Sequence, residues 1–254
     1  MQTHGMVVED ARVIIKILDT LLTRPLLTRS ANIFYLTEKE FLELKFLSVR
    51  TKMTEIPNGI SITENPKKLN EKKINKTIVF CSRIHKRKGT EKFIELAEKF
   101  NGEGFEYNFE IFGPDGGQLE YVLRRIKEKN LMHHVTYQGP LKLERVIPML
   151  ANVACLVLPS KDEPFPMIVI EALSVGTPVL VFPSCGISKT ISKCNPDFVA
   201  PGEAVNDLAI SLEKILKNYD HFSAQQIIDF CQIYFNMTTI GEKVLSSYLE
   251  ALEN

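Results

Sequence analysis

The sequence predicts an α/β fold built on a Rossmann-like parallel sheet flanked by helices, and two observations predict it. From residue 77 onward, short β-branched or apolar runs alternate with segments of helical period, the pattern of strands joined by crossover helices and covered on both faces. The chain also has 254 residues, 44% of them hydrophobic, enough for a sizeable core in one large domain or one domain and part of another.

The elements follow in order. TIVFCS (77–82) reads as a strand, and GTEKFIELAEKF (89–100) as a helix with Phe93, Ile94, Ala97 and Phe100 on one face. YNFEIFG (107–113) is a strand, QLEYVLRRIKEKN (118–130) a helix, HVTYQG (134–139) a strand, LERVIPML (143–150) a short helix and ACLVLPS (154–160) a strand. A helix is expected from Phe165, then the strand PVLVF (178–182), the helix EAVNDLAISLEKILKN (203–218) and closing helices over 220–254.

Composition narrows the function classes. Lysine plus arginine equals aspartate plus glutamate at 31 each, so whole-chain charge does not point to nucleic acid, and an anion site must come from local clustering. Cys81, Cys155, Cys185, Cys194 and Cys231 are scattered, with no C-x-x-C pair; they read as reduced packing residues rather than a disulfide frame or a zinc site. No apolar run approaches the roughly 18 to 20 residues that span a bilayer, and the N-terminus lacks a signal-peptide layout. The expectation is a cytoplasmic protein. The lysines of PKKLNEKKINK (66–76) and the apolar face at 13–22 also suit peripheral contact with an anionic inner-membrane surface, although a solvated linker is the preferred reading of the lysines.

Ligands of such sheets bind beyond the carboxyl ends of the strands. After the first strand stands Arg83-Ile84-His85-Lys86-Arg87-Lys88-Gly89, where arginine offers a planar fork and lysine a point charge to a diphosphate. Gly113-Pro114-Asp115-Gly116-Gly117 follows the second, with glycines that permit positive φ and close approach; ordinary turns use the same residues. Neither loop matches the dinucleotide fingerprint G-x-G-x-x-G, which disfavours a hydride-transfer enzyme.

The segment SKDEPFPMIVIEAL (160–173) poses the sharpest question, because Glu171 interrupts an apolar helix. An unpaired buried carboxylate is costly, so it needs ligand hydroxyls, a basic partner or backbone N–H groups. Eight residues separate it from Glu163. Were most of that interval helical, the two would lie about 12 Å apart along the axis and about 80° around it, able to touch different parts of one elongated ligand but not to share a proton.

The array CSRIHKRKG, EIFGPDG, VTYQG and LVLPSKDEPFPMIVIEALSVGTPVL resembles the donor-nucleotide half of retaining GT-B glycosyltransferases of family 4, or group 1. The resemblance covers nearly the whole chain. It implies Arg83 and Lys88 on the donor diphosphate, Glu163 on hydroxyls of the transferred sugar, Glu171 on the ribose, and further nucleotide-sugar contacts at Gly113, Phe165 and Met167. His4, in a T-H-G segment near the start, is similar to a histidine that lies beside the donor sugar in the family. The implied catalytic set is Glu163, Arg83, Lys88 and His4, without a metal or protein nucleophile. The implied donor is a UDP- or GDP-linked sugar, with no other cofactor, and the acceptor is a glycan or lipid-linked molecule.

The departures bear on the same residues. Pro166 stands where the family usually has glycine, and Cys185-Gly186-Ile187-Ser188-Lys189 keeps one glycine of a usual pair and no glutamate. The expected organisation is a remnant of an N-terminal acceptor domain (1–64), a linker (65–76), the nucleotide-sugar-binding domain (77–235) and a C-terminal helix crossing back (236–254). Such a chain is expected to bind donor but transfer little alone, and to expose an apolar seam around Ile14, Ile17, Leu18, Leu21 and Leu22 that recruits a separate acceptor-domain chain or drives self-association. A non-catalytic nucleotide-sugar-binding subunit or truncated fragment, and an epimerase or phosphorylase on the same fold, are the alternatives.

Overall fold

The computed structural model describes residues 17–46, 50–61, 75–102, 104, 106–219 and 223–253. The chain divides into two units, residues 1–61 with 235–254, and residues 62–234.

In the first unit, β1 (Ile33–Tyr35) runs parallel to β2 (Met53–Glu55), with Ile33 opposite Met53. A π-helical turn at Asp19–Thr23 leads into α1 (Arg24–Thr28), and α2 (Glu38–Phe46) follows β1. Leu27, Ile33 and Leu44 form the core these elements share. The start of α2 is tied down locally: the Leu36 N–H donates to Glu40 Oε2 at 2.6 Å, and the Glu40 N–H to Thr37 Oγ1 at 3.3 Å, a variant of the capping box. The final helix of the chain, Met237–Glu253, packs Tyr248 edge-on against Phe34 at 5.7 Å and pairs Glu250 with Lys52 at 2.5 Å. The apolar face expected over residues 14–22 is described only from Ile17. The π turn breaks its regular helical spacing, and Ile17, Leu18, Leu21 and Leu22 are all exposed.

The second unit holds five parallel strands: β3 (Thr77–Cys81), β4 (Asn108–Phe112), β5 (Val135–Gly139), β6 (Cys155–Leu158) and β7 (Val179–Val181), in the order β5-β4-β3-β6-β7. Order therefore reverses between β3 and β6, the topological switch point where such sheets open a crevice. Ile78, Val79 and Phe80 of β3 and all four residues of β6 are buried, as central strands covered on both faces must be.

The helices are α3 (Thr90–Gly102), α4 (Leu119–Glu128), α5 (Leu143–Leu150), α6 (Met167–Ser174), α7 (Ser188–Ile191), α8 (Val205–Lys217) and α9 (Ala224–Phe235). On α3 the predicted face is the buried one, with Phe93 against Phe80 at 5.7 Å and against Phe109 at 5.4 Å. Helix α7 and a 3-10 turn at Pro196–Phe198 are too short to show a period in sequence. The helix expected from Phe165 begins at Met167 instead, because Pro166 is extended at φ −78° and ψ 103°. The remaining helix, Met237–Glu253, is α10.

Candidate donor-binding crevice

The loops after β3 and β4 are knit together. The Ile84 N–H donates to the Pro114 carbonyl at 2.9 Å, and the Gly116 N–H to the Ile84 carbonyl at 3.0 Å. Gly113 has φ +145°, and a Cβ there would lie 1.8 Å from the Ser82 carbonyl oxygen, so only glycine permits this approach. A Cβ on Gly116 would lie 2.8 Å from Arg83 Cγ; its absence lets the arginine stem lie flat on the neighbouring loop. Asp115 Oδ1 accepts the N–H groups of Gly117, Gln118 and Leu119 at 2.7 to 3.1 Å. These bonds cap α4 and hold the carboxyl below its usual range. Gly113, Gly116 and Asp115 thus each have a structural task in this loop.

The basic loop is brought to the end of β6. His85 Nδ1 accepts the Arg87 N–H at 3.2 Å and starts a 3-10 turn over Lys86–Lys88. Gly89, at φ +77°, closes the turn, and a Cβ on it would sit 1.9 Å from the Pro159 carbonyl oxygen. Across this contact the Arg87 carbonyl accepts from the Lys161 N–H at 3.1 Å and from Ser160 Oγ at 3.0 Å. Lys88 Nζ then forms an ion pair with Glu163 Oε2, which also lies 3.2 Å from Ser160 Oγ. Two residues nominated for different parts of a ligand therefore meet each other. Arg83 stays exposed and makes no ion pair with any described residue.

The loop carrying Glu163 is held on its other side. Asp162 adopts φ +51°, and its N–H points to Ser184 Oγ at 3.4 Å. Glu203 accepts from the Ser184 hydroxyl and pairs with Lys161 at 3.1 Å; the hydroxyl first, then the lysine, lowers its carboxyl pKa. The Gly186 N–H donates to the Glu163 carbonyl at 2.8 Å, and a Cβ on Gly186 would come 2.1 Å from the Pro164 carbonyl oxygen. Ser160, Ser184 and Glu203 were not singled out as contributors from sequence, whereas Gly186 stood out as the one glycine kept of the usual pair. The lone glycine after PVLVF was the one available signal, and its partner, Pro164, lies on another loop.

Phe165 is buried, whereas Met167 at the first turn of α6 is partly exposed. Glu171 lies inside α6, half-buried, and no hydrogen bond or ion pair from a described residue reaches its carboxylate. Burial raises its pKa. Its charge is felt at Cys81, at the end of β3, where burial first and Glu171 second push the thiol up to about 11. Only the second half of the interval from Glu163 to Glu171 is helical, so the condition on which the spacing of about 12 Å and about 80° rested, a mostly helical interval, is not met. Proline at 164 and 166 has no N–H to donate to a helical ladder. His4 lies outside the described residues. Among the described residues, no group of three or more His, Cys, Asp or Glu side chains could hold a metal ion, and no helix is long and apolar enough to cross a membrane.

A model of the family described as glycosyl transferases group 1 matches residues 61–228. Relatives include the α-D-kanosaminyltransferase of Streptomyces kanamyceticus, 23% identical over 175 residues, which are 68% of this chain and 45% of that protein. The D-inositol 3-phosphate glycosyltransferase of Paenarthrobacter aurescens is 27% identical over 141 residues, 54% of this chain and 35% of that protein. The chain thus spans less than half the length of these relatives. Among solved structures, sucrose-phosphate synthase from Thermosynechococcus elongatus superposes with a TM-score of 0.80 at 19% identity, over 99% of this chain and 67% of that one. The Anabaena protein HepE in complex with UDP and glucose gives 0.74 at 15% identity, over 97% and 70%. At these identities the likeness is one of fold.

Proposed function

Since this chain belongs to the group 1 glycosyltransferase family, we propose that its crevice between β3 and β6 holds a nucleotide-diphosphate sugar, UDP- or GDP-linked, as donor for a retaining glycosyl transfer. The observation that carries this reading is the convergence of Lys88 and Glu163 from opposite sides of the switch point, with Arg83, which has no ion pair among the described residues, on the same loop as Lys88. Arg83 and Lys88 face the diphosphate, and the N-terminus of α6, whose N-cap residue Pro166 offers no capping side chain, adds a partial positive charge. Glu163 accepts from hydroxyls of the transferred sugar. Glu171, a half-buried carboxylate with no donor among the described residues, accepts from the two ribose hydroxyls, which offset its desolvation.

In the proposed reaction the bond from the anomeric carbon to the diphosphate oxygen breaks, with charge growing on the leaving phosphate where the basic groups stand. A hydroxyl of a glycan or lipid-linked acceptor attacks on the same face, and its proton passes to the departing oxygen. The chain's residues bind, orient and neutralise; none is asked to be a nucleophile. Calorimetry of the purified chain with UDP and GDP tests the donor site. One of them should bind, and Arg83→Ala should weaken it by about 1.5 to 3 kcal/mol, the value of a charge-assisted hydrogen bond, with a loss that shrinks as salt rises. Equal affinity in wild type and variant would remove the diphosphate from this loop.

A further inference from the structure

We propose that the Lys88–Glu163 pair makes the crevice discriminate a sugar-bearing nucleoside diphosphate from the bare diphosphate that remains after transfer, an inference that rests on the donor-site reading above. Both side chains are largely shielded, at 29% and 17% exposure, so water only partly screens the pair. Ser160, 1% exposed, shares its hydroxyl between the Arg87 carbonyl and the same Glu163 oxygen, and the Gly186 N–H holds the Glu163 backbone. The backbone of Glu163 is thus anchored, and Ser160 favours the carboxylate staying where it is when the lysine moves.

A diphosphate that draws Lys88 towards itself leaves Glu163 charged, partly desolvated and without its cation, which is the costly half of breaking such a pair. A donor that still carries its sugar supplies hydroxyls to that carboxylate and offsets the loss. The bare diphosphate cannot. Glu163 thus competes with product for Lys88, and the site favours release of the diphosphate once the sugar has left.

The test is calorimetry on the full chain with UDP, UDP-glucose, GDP and GDP-glucose. Glu163→Gln keeps the shape and removes the charge. It should tighten the bare diphosphate about ten-fold, the lower end of the worth of a charge-assisted contact given the partial exposure, while the sugar nucleotide gains nothing, so the preference for the sugar collapses. Glu163→Ala should move the bare diphosphate in the same direction, which guards against repacking peculiar to one variant. In a Lys88→Met background, Glu163→Gln should leave diphosphate affinity unchanged, a coupling that a merely structural role would not produce. If Lys88→Met weakens the diphosphate but both Glu163 variants leave it unchanged or weaker, this inference fails and the donor-site reading stands. If none of the four probes binds wild type, or Lys88→Met has no effect, the donor-site reading fails and takes this inference with it.

Discussion

Glu171 is an acid whose folded-state pKa is raised by burial, the reverse of the usual salt-bridged carboxylate. The folded protein then holds a proton that the unfolded chain has already released, so stability falls as pH rises from the ordinary carboxylate range through the raised value. Below that range both states are protonated and the cost disappears. Glu171→Gln is therefore expected to be more stable than wild type at neutral pH without ligand, and the gap should close as pH drops below about 4. Chemical denaturation of both proteins across pH checks this, and equal stability at neutral pH would mean that the carboxylate has an internal partner.

At the scale of elements, the sheet and its first crossover helix hold the crevice in shape. Phe93 of α3 is fully buried between Phe80 of β3 and Phe109 of β4, and β3 carries Arg83 and Lys88 on the loop that follows it. Phe93→Ala should cost about 3 to 5 kcal/mol through lost transfer energy and the cavity left behind, read as a shift of the denaturant midpoint. Diphosphate affinity of the protein that remains folded should change little, because the loops are tied to each other by backbone hydrogen bonds from Ile84, Gly116 and Lys161 rather than to that ring. A mild effect would show that α3 repacks. The element boundaries were legible wherever a period ran for several residues, as on α3. They were not legible at α6, whose start depends on the extended conformation of Pro166, nor at α7, which has four residues.

For the whole molecule, two features act together. The formal net charge is zero, so long-range repulsion does little to keep copies apart. Within ten residues Ile17, Leu18, Leu21, Leu22 and Leu26 are each at least 44% exposed, a density of apolar surface that marks interaction sites. The pure chain is expected to associate with itself as concentration rises, and Leu21→Glu combined with Leu22→Glu should return it to a monomer with unchanged nucleotide affinity. Sedimentation velocity over a hundred-fold concentration range decides this. A wild-type chain that stays monomeric throughout would show that these side chains are tolerated in water.

The sequence by itself determined the alternation of strands and helices, the buried face of α3, and the loops at 83–89 and 160–171 as the places to look for chemistry. Each of these is written in a local code: hydrophobic period, turn residues, and the rule that ligands meet the carboxyl ends of parallel strands. Tertiary structure alone decided that Lys88 meets Glu163, 75 residues away, because strand order is set by how crossovers pack and places β6 beside β3. It also decided that Gly113 and Gly186 are needed by carbonyls of Ser82 and Pro164, and that Glu171 has no donor among the described residues. Contacts between loops from different strands carry no periodicity, so their physics exists only once the sheet has brought them together.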